Sequence, residues 1–241
     1  MKFKLEVIGF TIQSCLLAQE SGAVRIELCD NPVDGGTTPS HGFIKAARQY
    51  LNIDLYPIIR PRGGDFFFSE AEFDIMKTDV ALCKALGCDG IVLGMLLQDG
   101  SIDKKRCQQL VELAYPLGVS FHRAFDRTND PLQAMEDIIE IGCERVLTSG
   151  LQPTASEGAD LIAQLITVAD DRIIIMPGSG VRSNNIIALA DKTKAVEFHT
   201  SARKYAAVNM IYKNEQMKEA VNNITVDTVE IKKMIELLNN H

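Results

Sequence analysis

Three short segments limit the fold of this chain more than any other feature. Gly22-Ala-Val-Arg-Ile-Glu, Gly87-Cys-Asp-Gly-Ile-Val and Gly142-Cys-Glu-Arg-Val-Leu each read as a glycine that stops a helix, followed by the start of a strand. Around them strand and helix patterns alternate. Strands are expected near residues 3–8, 24–30, 53–59, 90–94, 119–122, 144–148, 173–176 and 195–198. Helices are expected near 11–20, 38–50, 69–86, 103–115, 130–142 and 156–169, then from 183, and last over 228–239. Thr11 is a cap, Thr38-Pro39 a helix start, Ser69 to Glu72 a capping box and Asp130-Pro131 another start. Eight strand–helix pairs predict an α/β fold, a (β/α)₈ TIM-like barrel in a single domain over 1–241. An open doubly wound sheet is the alternative, and it does not need eight units. A stretch of little pattern at about 200–227 lies between strand eight and the last helix. It suits a lid, an oligomer contact or a disordered loop.

Within that frame the stretch at 24–30 alternates with period two. Val24, Ile26 and Leu28 face one way, and Arg25, Glu27 and Cys29 the other. If the apolar side meets the helices, Arg25, Glu27 and Cys29 line the barrel's inside. Buried charge is costly unless paired or used, so such a lining suggests a site. Composition narrows the function. The net charge of −7 argues against a general nucleic-acid binder. No apolar run approaches the roughly 18 residues of a membrane span. A lysine at position 2 and another at 4 come too early for a signal peptide. Six cysteines without Cys-x-x-Cys spacing read as reduced thiols of a cytoplasmic protein.

Working residues of such barrels stand at the carboxyl ends of the strands. Read there, the chain offers Glu6, Glu27, Cys29, Asp30, Arg60, Arg62, His122, Arg123, Asp126, Glu197 and His199. Glu27, His122 and Glu197 are the candidate proton-moving residues of an enzyme. Arg60 and Arg62 are candidate anion holders, with Gly178, Gly180 and Ser201 as a phosphate cradle after strands seven and eight. The competing reading of those glycines is a tight turn. Cys29 is the cysteine placed at the mouth, and a thiolate there prefers soft metals such as Cu(I). His122, His199 or a second chain would complete that site. Cys83, Cys88, Cys107 and Cys143 read as small core fillers.

Several segments together resemble the CutC copper homeostasis family. They are Arg25-Ile-Glu-Leu-Cys29, Gly35-Gly-Thr-Thr-Pro-Ser40, Ile59-Arg-Pro-Arg-Gly-Gly-Asp-Phe66, Phe121-His-Arg-Ala-Phe-Asp126, Arg145-Val-Leu-Thr-Ser-Gly150, Met176-Pro-Gly-Ser-Gly180 and Glu197-Phe-His-Thr-Ser-Ala-Arg203. The resemblance implies a TIM-like barrel, a cytoplasmic setting, copper handling with proposed Cu(I) binding through cysteine, and a homo-oligomer, dimer or tetramer. It also shows a departure. Where the family's first proposed copper cysteine stands, after a Glu-Val pair, this chain has Ile8; Cys29 matches the second. Two functional readings follow. One is Cu(I) handling at Cys29 with His122 or His199. The other is a metabolic enzyme of aldolase, isomerase or lyase type, acting on a phosphorylated or carboxylated small molecule.

Overall fold

The computed structural model describes residues 3–212, 214–218 and 223–241. In chain order its elements are β1 (Lys4–Gly9), α1 (Ile12–Glu20), β2 (Arg25–Leu28), α2 (His41–Tyr50), β3 (Asp54–Pro57), α3 (Glu70–Ala85), β4 (Gly90–Leu93), α4 (Lys104–Ala114) and β5 (Gly118–Phe121). A 3₁₀ turn (Arg123–Arg127) follows, then α5 (Pro131–Glu140), β6 (Arg145–Thr148), α6 (Ala159–Ala169), β7 (Ile174–Pro177), α7 (Ile186–Thr193), β8 (Glu197–Thr200), β9 (Arg203–Ala206), β10 (Asn223–Val226) and α8 (Thr228–Asn239).

Strands β3-β2-β1-β8 form one parallel arc and β4-β5-β6-β7 another. The Ile59 N–H donates to the Val92 carbonyl at 2.7 Å and joins the arcs on one side. On the other side β7 stands beside β8. The result is the expected (β/α)₈ barrel. Its main core lies between strands and helices, where Leu5, Val7, Ile26, Leu28 and Leu55 are buried. A smaller apolar cluster of Ile8, Cys29, Tyr56, Ile58 and Val92 belongs to the opposite parity, inside the ring. The alternation at 24–30 therefore reads as expected.

Local chemistry sets the element ends. Thr11 and Ser14 form a reciprocal capping box for α1, and Ser69 with Glu72 does so for α3. Asp130 accepts from Leu132 and Gln133 ahead of Pro131. Gly22, Gly87 and Gly142 have φ of +99°, +73° and +88°, a region open to glycine at little cost, which explains the repeated helix stop.

Three boundaries differ from expectation. Helix α2 is capped by Ser40, not Thr38; the Thr38 hydroxyl instead accepts from the Arg60 backbone at 2.9 Å. Strand β8 begins at Glu197, because Lys4 pairs with Glu197 and Val7 with Thr200. The stretch 200–227 is not patternless, since β9 and β10 pair antiparallel with Tyr205 opposite Ile224. Its residues 213 and 219–222 lie outside the described residues. No helix among the described residues is long and apolar enough to cross a membrane.

Candidate functional site

Charge fills the lower half of the barrel. Arg25 of β2 donates to Glu6 of β1 through Nε and to Glu197 of β8 through Nη2, the latter at 2.7 Å. Arg145 of β6 donates to the same Glu197 oxygen at 2.8 Å and to Glu144 at 2.8 Å. Lys4 reaches Glu197 from outside at 3.3 Å. The Tyr56 ring lies under both Arg25 and Arg145. Glu197 is thus the first residue of β8, at the amino end of the strands. The expectation of a strand ending at 198 put it at the mouth; its side chain is committed to two guanidinium groups far from there. Arg145 had no assigned role, although it shares the parity of inward Leu147.

One level up, Glu6, His199 and Glu27 form a chain. His199 Nδ1 is 2.7 Å from Glu6 Oε1, and His199 Nε2 is 3.7 Å from Glu27 Oε2. Burial would raise the Glu6 carboxyl, but Arg25 and His199 hold it down to about 2. Burial pushes Glu27 up to about 7, with the His199 charge opposing and Glu6 adding to the rise. Burial would lower His199, yet its bond to Glu6 and the Glu27 charge keep it raised. An ionised Glu6 therefore fixes the proton on Nδ1 and orients the ring. Glu27 titrates near neutrality, as a general acid or base requires. The His199 side chain remains 10% exposed, so the chain is not sealed.

The mouth itself holds a cavity of about 1020 Å³, bordered by the loops after β2 to β6. Arg60, Phe66, Leu96, Arg123, Arg127 and Leu151 are among its lining. Arg60 is buried. Its Nη1 donates to the carbonyls of Asp34 and Gly36, and its Nη2 to Gly64. It holds two loops in place with neutral partners, so its charge is not cancelled by a bonded carboxylate. Arg62 points elsewhere: it pairs with Glu72 and Asp65 and lies over Phe68. It does not line the cavity itself, although its partners Asp65 and Phe67 do. Asp126 accepts from Arg123, Thr148, Ser149 and Leu151 and ties the β5 and β6 loops together.

His122 follows β5. Its Nδ1 accepts from the Ala124 N–H at 3.2 Å, and its ring packs 5.0 Å from Phe66. Burial and the Arg60 charge push it down to about 3, so it is a neutral imidazole. With Nδ1 accepting, the proton sits on Nε2, which leaves His122 a donor and not a base. Gly178 donates its N–H to Thr148, and a Cβ there would strike Leu147. Packing accounts for that glycine. Gly180 has φ of +75° and passes its carbonyl to Asn185, which makes it a turn residue. Ser201 follows β8 on the same rim.

The donor set can be tested against Cu(I). Among the described residues the cluster able to converge on an ion is Glu6, Glu27 and His199, with ligand atoms within 4.8 Å. Cys29 and His122 are not in it. Burial, with Glu27 and Glu6 nearby, drives the Cys29 thiol well above its usual range. A neutral thiol and two hard carboxylates suit a soft Cu(I) ion poorly. The set Cys29, His122 and His199 is therefore not assembled as a metal centre. Cys83, Cys88, Cys107 and Cys143 are buried in the outer core, as expected.

A model of the CutC family matches residues 3–204. The chain belongs to the CutC family. A CutC protein of Chromobacterium violaceum is 52% identical over 209 residues, covering 87% of this chain and 85% of that one. A mouse copper homeostasis protein cutC homolog is 45% identical over 215 residues, covering 89% and 79%. The crystal structure of a CutC protein from Streptococcus agalactiae superposes with a TM-score of 0.78 at 33% identity, covering 83% and 98%. Phosphoribosyl anthranilate isomerase of Thermotoga maritima shares the barrel at a TM-score of 0.62 and 14% identity, over 99% and 100%, a likeness of fold alone. In CutC terms, the inward residues of 24–30 and the strand ends at 121–126 and 197–203 all fall inside the matched region.

Proposed function

We propose that this chain serves copper homeostasis, the role for which its mouse relative is named, as an acid–base catalyst on a small anionic molecule. Ligation of Cu(I) is not the means. The observation that carries this reading is the Glu6–His199–Glu27 chain. It has the parts of an orienting carboxylate, an imidazole and a carboxyl group tuned to neutral pH. Glu27 exchanges a proton with the bound molecule. His199 supplies or takes that proton through Nε2, and Glu6 holds the ring. Arg60, a buried guanidinium whose bonded partners are neutral carbonyls, supports an anion as the substrate class. The reading sets the chain in the cytoplasm, where six free and buried thiols stay reduced. It also includes a homo-oligomer.

The test uses a host that lacks its own family member and grows poorly at raised copper. Wild type and Cys29→Ser restore growth, and Glu27→Gln does not. A Cu(I) competition titration gives wild type and Cys29→Ser the same affinity. Restoration by Glu27→Gln together with failure of Cys29→Ser overturns the proposal and returns Cu(I) to Cys29, the reading that the relatives' names favour.

A further inference from the structure

Among the described residues, the buried side-chain nitrogens and oxygens without a hydrogen-bond partner are Arg60 Nε, His122 Nε2 and Arg203 Nε. All three are N–H donors: the two guanidinium nitrogens by nature, and His122 because Nδ1 already accepts from Ala124. A buried donor left unmatched costs about 1–3 kcal/mol. All three stand at the carboxyl ends of strands: Arg60 after β3, His122 after β5 and Arg203 just past β8. Chance would scatter such atoms over the fold and mix in acceptors.

Their contacts tie them to the loops at this end of the barrel, where Arg60 also lines the mouth cavity. Arg60 and Arg203 both grip the loop after β2: Arg60 through the Asp34 and Gly36 carbonyls, and Arg203 through that of Pro32 at 3.3 Å. Arg60 and His122 share Phe66, with the guanidinium 4.8 Å and the imidazole 5.0 Å from its ring centre. Arg203 instead lies 5.0 Å over Phe10, at the end of β1. The donors thus divide into a pair on the β3–β5 side and one on the β8–β1 side. Neighbouring carbonyls and rings fix each group, so the free N–H directions are set before anything binds.

We propose that Arg60, His122 and Arg203 form a donor-only cradle for a compact dianion with oxygen acceptors at both ends, one a carboxylate and the other a carboxylate or phosphoryl group. This rests on the reading that the mouth takes a small anion, and it names that anion's class. Arg60 and His122 take one end, Arg203 the other. His122 contributes an uncharged donor, which suits an oxygen that must stay close without being protonated by an acid.

Isothermal titration of the full chain at low ionic strength tests it with four probes: phosphonoacetate, malonate, inorganic phosphate and acetate. A two-ended probe is expected to bind at least about tenfold more tightly than the one-ended ions, the return from matching a second charged donor. Arg203→Met, which removes the donor, and His122→Phe each weaken that probe by about tenfold, while His122→Gln, which keeps an N–H donor at the same reach, restores it. Equal binding of two-ended and one-ended ions by wild type overturns the cradle whether or not any variant folds. So does unchanged two-ended binding in both Arg203→Met and His122→Phe. Glu27→Gln separates the two proposals. If it still restores growth at raised copper while the cradle variants lose the probe, the acid–base reading fails and the cradle stands. If it fails to restore growth and wild type does not distinguish the probes, the cradle alone is wrong.

Discussion

Glu6 and Glu27 are the same residue type, both buried and on paired neighbouring strands, yet they differ in role because different groups face them. Glu6 meets Arg25 and the His199 Nδ1 and is held as a carboxylate. Glu27 has the imidazole at 3.7 Å and the negative Glu6 behind it, and is pushed up to about 7. That difference has a stability signature. A Glu27 that keeps its proton in the folded state up to about pH 7, against 4.5 for the free group, makes the fold lose stability as pH rises between those values. Glu27→Gln removes that loss. Urea unfolding is expected to show the variant more stable than wild type by roughly 1–3 kcal/mol at pH 8, with the two converging near pH 4. No gain at pH 8 would mean that the Glu27 carboxyl is not raised above its free value in the folded chain. Cys29 offers a second check at this scale. As a fully buried thiol with a raised pKa, it reacts with iodoacetamide only after unfolding, and alkylation of the native chain with mass analysis reads that out.

At the scale of elements, the barrel is tied across its lower end by Arg25 and Arg145. Each bridges strands that are distant in sequence, with Glu197 shared between them. Arg25→Met leaves Glu6 and Glu197 buried with one partner fewer. A loss of about 3–5 kcal/mol in chemical unfolding is expected. A change under 1 kcal/mol would show the charges to be relieved by water. The same elements show what could be read in advance. Alternation at 24–30 gave the inward parity of Arg25, Glu27 and Cys29, and helix stops at Gly22, Gly87 and Gly142 gave the repeat. Which end of the barrel a residue occupies was not legible. Glu197 has the right parity, but its level depends on the pairing of β8 with β1, a contact between the two ends of the chain. Arg62 failed for a related reason. It leaves β3 beside Arg60, yet Glu72, the same residue that closes the α3 capping box, and Asp65 hold its guanidinium in ion pairs, so it does not line the cavity. Orphaned donors such as Arg203 Nε leave no trace in residue patterns at all, since they are defined by what does not pack against them.

The whole molecule carries a feature beyond the family match, which ends at residue 204. The β9–β10 arm exposes Tyr205, Met210, Ile211, Tyr212 and Met217, with Ile211 99% open to solvent. Exposed apolar side chains at this density suit a contact with a second copy of the chain. For the proposed homo-oligomer, Ile211→Asp with Tyr212→Ser is expected to lower the sedimentation coefficient to that of a single chain, with unchanged unfolding of the barrel. An unaltered sedimentation coefficient would rule out the arm as the contact. The arm springs from the same rim as Ser201 and Arg203, so any such assembly brings a neighbouring chain close to the opening.

The plug of Arg25, Glu6, Glu197 and Arg145 has a further consequence for traffic. With Tyr56 across it, all five are at most 6% exposed, so the barrel is a cup with a stopped base. On the acid–base reading, a molecule that arrives at Glu27 leaves by the route it came, and the carboxyl group is reset by solvent entering along that same path. Turnover on that reading alternates strictly between occupied and refilled, and a crowded doorway throttles both halves at once.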